Sequence, residues 1–211
     1  PIHIHVAETK QEVQEQLEIH DMAVVPWLDR QGLFEAKVTA HHCVHLEESE
    51  MRTLRSRGAG IAHNPSSNLK LSSGFAPVAK MVDLGIPVAI GTDGAASNND
   101  LDMFEEVRLA ALLAKGVTED PTALPARQAL AMATRLGAEA LHIADRTGSL
   151  EVGKRADVAV VDLERLHLTP QFHRRLDSIY SLLVYSGKSW DVRHVLYDGR
   201  WTMRDRELLT L

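Results

Sequence analysis

Cysteine is nearly absent. Cys43 stands alone among 211 residues, which excludes an intrachain disulfide framework and fits a reducing compartment. No uncharged apolar stretch reaches the roughly 20 residues that a membrane-spanning helix requires, and no signal-peptide pattern is present. The cytoplasm is therefore the expected location, with no membrane partner. Basic charge is in deficit, with 23 Lys and Arg against 29 Asp and Glu and a net charge of −6. Non-specific nucleic-acid binding needs a basic footprint, so no nucleic-acid partner is expected. No glycine-rich phosphate loop follows an apolar run, which removes a nucleotide-binding α/β domain. An initiator Met is also missing: Pro1 leads straight into an apolar segment. A parallel strand there needs neighbours on both sides, so the expectation is a fragment whose missing half was removed or comes from another chain.

What is present is an ordered alternation. Four short apolar runs each lead to a polar residue able to bind metal or move a proton: Ile2 to Val6 before Glu8, Val38 to Ala40 before His41-His42, Gly60 to Ala62 before His63-Asn64, and Val88 to Gly91 before Thr92-Asp93. Helix-like sequence separates them. Thr9 is placed to cap a helix over 10–19. Residues 26–32 read as a short helix entered at Pro26 and stopped at Gly32. Residues 46–58 carry acids first, bases last and a closing Gly58. Further helices are expected over 76–85, 101–115 and 125–141, and polar loops over 64–74 and 94–99. Strand–helix alternation predicts a parallel sheet, and in closed (β/α) barrels catalytic groups gather at the carboxyl ends of several strands. The pattern changes near residue 148. Beyond it, 158–162 reads as a strand and 192–201 as a hairpin around Asp198-Gly199.

Strand parity refines the picture. His3 and His5 share one face of the first run, and Ala89, Gly91 and Asp93 share one face of the fourth, with branched residues opposite. That distribution suits a barrel interior with a site at its top. Glu8 has the wrong parity and must lie on the loop beyond the strand. His41 and His42 point to opposite faces, so at most one should enter the interior. His3 would sit a layer below His5 and is expected to have a core role. Cys43 reads as a small buried hydrophobe. His20, His45, His142, His167, His173 and His194 read as surface or packing residues.

The strings IHVAET (4–9), AHHCVHL (40–46), AHNPSSNLKLSSGFAPV (62–78), GTDGAASNN (91–99) and GSLEVGKRADVAVVDL (148–163) together resemble the amidohydrolase superfamily. Within it they are most similar to the 5′-methylthioadenosine/S-adenosylhomocysteine deaminases, with chlorohydrolases and guanine-type deaminases as relatives. The resemblance implies an α/β fold: the second half of a metal-dependent (β/α)8 TIM barrel, strands five to eight, in residues 1–147. A portion of a small β-sandwich domain would follow in 148–211. It implies that His5 and Asp93 bind the metal, that Glu8, His42 and Asp93 are catalytic, and that Glu8 and Asp93 also meet the substrate. The implied cofactor is one divalent ion, with zinc the first expectation. Such enzymes take two more ligands from a His-x-His motif on the first strand, which this chain lacks. His3-Ile4-His5 does not replace it, because IHVAET matches the fifth strand. The implied partners are a purine nucleoside substrate and the missing N-terminal half; a homo-oligomer is a further expectation.

The mechanism implied by the resemblance is hydrolytic deamination. A metal-activated water attacks the purine carbon bearing the amino group while Asp93 takes its proton. Glu8 protonates the ring nitrogen and relays a proton to departing ammonia, and His42 steadies the developing oxyanion. Two other readings remain open at this point: a relative acting on another amino- or chloro-substituted heterocycle, and an inactive fragment serving as a scaffold or partner subunit.

Overall fold

The computed structural model describes residues 1–171 and 176–210; His173 lies outside the described residues. Its first part alternates strand and helix. Strands β1 (Ile2–Val6), β2 (Val38–His42), β3 (Gly60–His63) and β4 (Val88–Ile90) form one parallel sheet in the order β1-β2-β3-β4. Partners include His5 with His41, His41 with Ala62, and Ala62 with Ala89. All four expected runs are thus strands of one sheet, aligned so that their carboxyl ends share an edge.

The connecting helices follow local chemistry. Helix α1 (Lys10–His20) starts at Thr9, whose hydroxyl accepts from the Glu12 N–H. Helix α2 (Val24–Arg30) begins two residues before Pro26, since a proline is tolerated within a first turn whose N–H groups have no helical partner. Helix α3 (Glu48–Ser56) has Glu48 and Glu50 in its first turn and Arg55 in its last, and Gly58 follows at φ +68°. Two segments expected as loops contain helices instead: α4 (Pro65–Lys70) and, after α5 (Val78–Asp83) and β4, α6 (Ala95–Asn98). Their serine- and asparagine-rich composition hid them, although Pro65 at the first helical position is a start signal. Helix α7 (Met103–Thr118) is capped by Asp102, which accepts from the N–H groups of Phe104 and Glu105.

The helix expected over 125–141 is two helices, α8 (Ala126–Met132) and α9 (Arg135–Ala140), broken at Thr134. The break lets α9 lie against the small-residue face of β3 and β4. A Cβ on Gly60 would fall 2.1 Å from the Ala140 carbonyl oxygen, so only glycine admits this approach. The Thr39 hydroxyl donates to the same oxygen at 2.8 Å. On the opposite side, Val6, Val38, Ala40, Ile61, Val88 and Ile90 pack with Val25, Leu54, Met81, Val107 and Ala111 into the core. The parity rule holds in these interiors. His3, however, is exposed on the inner face, its Nδ1 3.1 Å from His41 Nε2; the expected core setting is not found there.

Beyond α9 the character changes. Strands β5 (Val158–Val161), β6 (Val192–Tyr197), β7 (Arg200–Arg204) and β8 (Glu207–Leu208) form a separate antiparallel sheet. The β6–β7 hairpin turns at Asp198 and Gly199, both at positive φ, as a two-residue Asp-Gly loop should. Between β5 and β6 an unexpected helix, α10 (Leu176–Tyr185), packs on α7 and α8. Among the described residues no helix is long and apolar enough to cross a membrane.

Candidate metal centre

Four side chains meet at the carboxyl edge of the parallel sheet. One donor atom each from His5, His42 and Asp93 lies within 4.8 Å of the other two. The Glu8 carboxylate joins them, with Oε2 3.7 Å from His5 Nδ1 and 3.6 Å from His42 Nε2. These separations exceed hydrogen-bond length, so Glu8 borders the gap between the donors without being consumed by it. Residues 5, 8, 42 and 93 therefore converge as expected.

How they converge was not legible from strand parity. Each contributing strand exits through a residue in the left-handed region: Ala7 at φ +49°, His42 at +66° with Cys43 at +52°, and Asp93 at +61°. A non-glycine residue pays for such a conformation, and here it turns the chain at the point where alternation ceases. Glu8 is swung back over the strand end. His42 leaves its outward register and reaches His5, the two rings 4.7 Å apart, while the His41 ring lies 6.0 Å from His5. Of the pair, His42 joins His5 and Asp93 at the strand ends, while His41 stays with His3 on the inner face.

Surrounding groups hold each residue in place. His42 is fully buried, and its Nδ1–H donates to Asn68 Oδ1 at 2.8 Å. In the neutral ring this puts the lone pair on Nε2, a buried atom without a hydrogen-bond partner among the described residues. Asp93 Oδ2 accepts from the hydroxyls of Ser67 and Ser97, each at 2.7 Å. Burial raises the Asp93 pKa, but these two bonds, the Gly94 N–H and nearby His42 outweigh it, and the net shift is downward. Asp93 is thus held anionic. Ser73 donates to Glu8 Oε1 at 3.1 Å. Glu12 accepts from the backbone N–H groups of Ala7 and Glu8, both at 2.8 Å, which pins the turn carrying Glu8.

Glu12, Ser67, Asn68, Ser73 and Ser97 were missed by sequence reasoning. Only Glu12 carried a usable signal, the Thr-x-x-Glu spacing of a capping box at 9–12; Ser67, Asn68 and Ser97 become visible once α4 and α6 are placed, and Ser73 lies on the loop that follows α4.

Two neighbouring imidazoles, His41 and His63, are held toward the neutral form. Burial first, then the nearby rings of His3, His5 and His42, pull His41 down to about 4, and burial followed by His42 pulls His63 to about 4. Burial, reinforced by Glu12 and Glu50, pushes the Cys43 thiol up, so it stays protonated and inert. The imidazoles of His5 and His42, the latter with a buried Nε2 lone pair that has no hydrogen-bond partner among the described residues, and the Asp93 carboxylate fit a divalent ion of the zinc type.

The amidohydrolase family profile matches residues 1–202. The chain belongs to the amidohydrolase family. It is 48% identical over 210 residues to a 5-methylthioadenosine/S-adenosylhomocysteine deaminase of Desulforudis audaxviator, covering 100% of this chain and 48% of that protein. It is also 48% identical to a 5′-deoxyadenosine deaminase of Methanosarcina acetivorans, covering 100% of this chain and 47% of that one. Among solved structures, an adenosine deaminase from Xanthomonas campestris with bound zinc superposes with a TM-score of 0.95 at 43% identity, over 100% of this chain and 47% of its own. The chain thus spans about half the length of the relatives it matches.

Proposed function

We propose that the chain is part of a metal-dependent aminohydrolase that converts an adenine-type nucleoside, of the 5′-methylthioadenosine/S-adenosylhomocysteine class, to its 6-oxo product and ammonia. The observation that carries this reading is the convergence of the His5, His42 and Asp93 donors within 4.8 Å beside the Glu8 carboxylate, in a family with deaminases among its members. Residues 1–147 would be the second half of a (β/α)8 barrel and 148–211 a portion of a β-sandwich domain. A further segment would supply the other half and a His-x-His ligand pair, a reading supported by the half-length match to the relatives.

His5 and Asp93 would hold the metal, zinc by preference, and the buried Nε2 of His42 faces the same position. Bound there, such an ion supplies acidification of water, from a pKa of 15.7 to about 7. Asp93 would take the proton released as water adds to the purine carbon bearing the amino group. Glu8, whose Oε2 stands clear of both histidines by more than a hydrogen bond, would protonate the adjacent ring nitrogen and then pass a proton to the leaving amine. His42, oriented by Asn68 so that its Nε2 lone pair is free, would accept the O–H of the attacking hydroxide as the carbon becomes tetrahedral. The C–O bond forms, the C–N bond breaks, and ammonia carries the nitrogen away.

The test is ammonia release from a panel of 5′-methylthioadenosine, S-adenosylhomocysteine, 5′-deoxyadenosine, guanine and a chloro-s-triazine, using the chain joined to the proposed segment and loaded with zinc. Turnover of the adenine nucleosides is expected, with Asp93→Asn and Glu8→Gln slower by roughly 100-fold or more. Wild-type-like turnover in either variant, or activity confined to guanine or the triazine, would overturn the reading.

A further inference from the structure

Glu106 is a buried carboxylate on α7, 1% exposed, whose hydrogen bonds go to Ser66 and Asn98 rather than to the four converging residues. Its Oε2 accepts from the backbone N–H of Ser66 at 3.0 Å, at the start of α4, and its Oε1 accepts from Asn98 Nδ2 at 2.7 Å, at the end of α6. Each partner is adjacent in sequence to a serine that donates to Asp93: Ser67 on α4 and Ser97 on α6, both 2.7 Å from the same oxygen, Oδ2. A second tie joins the same two helices elsewhere. Lys70 Nζ donates to the Ala96 carbonyl and to Asn99 Oδ1, each at 2.7 Å. Helices of six and four residues have little intrinsic stability, so their mutual placement depends on such ties.

A carboxylate is costly to bury, and an apolar residue would serve α7 better if packing were its only task. What a carboxylate adds is two acceptors at fixed spacing, one for each short helix. We propose that Glu106 is a positioning residue that holds Ser67 and Ser97 together on one oxygen of Asp93, and so sets both the cation affinity of the site and its turnover. This rests on the reading of Asp93 as a metal ligand. Groups that orient a metal-binding carboxylate typically change affinity or activity by roughly 10- to 100-fold when removed.

The test uses Glu106→Gln in the chain joined to the segment proposed above. The new amide offers one acceptor to two donors, so its NH2 group must oppose either Asn98 Nδ2 or the Ser66 N–H, and Asn98 cannot simply flip, because its Oδ1 already accepts from the Leu101 N–H at 2.9 Å. Zinc affinity by competition with a chelator and the visible spectrum of the cobalt-loaded protein read the site directly; kcat and KM read turnover. Glu106→Gln should weaken zinc binding and lower kcat by roughly 10-fold or more, shift the cobalt bands, and leave KM little changed. Adding Asn98→Asp reverses the donor and acceptor across the same bond, and this double variant should recover most of both losses. Unchanged zinc affinity and cobalt spectrum in Glu106→Gln, with only the unfolding temperature of the metal-free protein lowered, would overturn the proposal. Should Glu106→Gln not fold, Asn98→Ala removes the α6 tie, together with the Leu101 bond, and leaves the Ser66 tie; weaker zinc binding supports the proposal and unchanged binding overturns it. A wild type that binds zinc but deaminates none of the nucleosides would sink the proposed reaction while leaving these metal measurements decisive for Glu106.

Discussion

Glu12 offers the sharpest check on how the site is assembled, because it never faces the metal position yet holds the turn that carries Glu8. Its two carboxylate oxygens accept from the Ala7 and Glu8 N–H groups, each at 2.8 Å. Ala7 is completely buried and sits at φ +49°, so its N–H has no ready access to water once the acceptor is gone. A hydrogen bond to a charged group contributes about 1.5–3 kcal/mol. The half-buried setting of Glu12 puts each bond near the lower end, and Glu12→Ala should cost about 3 kcal/mol. Glu12→Gln keeps one acceptor and should cost roughly half of that. With a urea slope near 2 kcal/mol per molar, the alanine variant's midpoint should fall by about 1.5 M. Urea titrations followed by circular dichroism give the comparison. The proposed deamination, assayed on the metal-loaded chain joined to the proposed segment, should fall in the same order, since a loosened turn displaces Glu8. A Glu12→Ala midpoint within about 0.3 M of wild type would refute the argument. So would equal losses in the two variants, because the reasoning depends on counting acceptors.

His63 makes metal-free stability depend on pH. Its folded pKa of about 4 lies below the ordinary 6.5, so the unfolded chain binds the extra proton between those values. The stabilisation is complete above about 6.5 and is lost as pH falls toward 4, at up to about 1.4 kcal/mol per pH unit. Between pH 7.5 and 5.5 the wild type should lose about 1 kcal/mol more than His63→Asn in urea titrations; parallel losses would refute this. Gly60→Ala places a methyl carbon 2.1 Å from the Ala140 carbonyl oxygen, and α9 must move away. The cost should be about 3 kcal/mol, measured by thermal unfolding; an unchanged melting temperature would contradict the observed packing. Chelation of a zinc-loaded sample should lower the unfolding temperature through loss of ligand linkage, and Asp93→Asn should abolish most of that difference.

The strand pattern was readable because it is local. Alternation in Ile2–Val6 and the apolar runs at 38–40, 60–62 and 88–90 predicted four parallel strands, and those strands are observed. The Asp198-Gly199 turn was readable for the same reason. Helices α4 and α6 were not: residues 65–70 and 95–98 have the composition of loops, and their helical form is supported by ties to distant residues such as Glu106 and Lys70. The break between α8 and α9 also escaped, because it answers to the tight approach of Ala140 to Gly60 across the fold.

By itself the sequence determined which residue types stand at each strand exit, and so that His5, Glu8, His42 and Asp93 would meet if the strands were neighbours. Tertiary structure decided their orientation. Left-handed residues at positions 7, 42 and 93 override side-chain alternation, and a residue occupies that strained region only where packing and hydrogen bonds from elsewhere hold it. The Ser67 bond to Asp93, the Asn68 partner of His42 and the Ser66 arm of the Glu106 tie join segments some 26 to 40 residues apart. No local periodicity encodes such contacts, because they exist only after the helices have packed on the sheet.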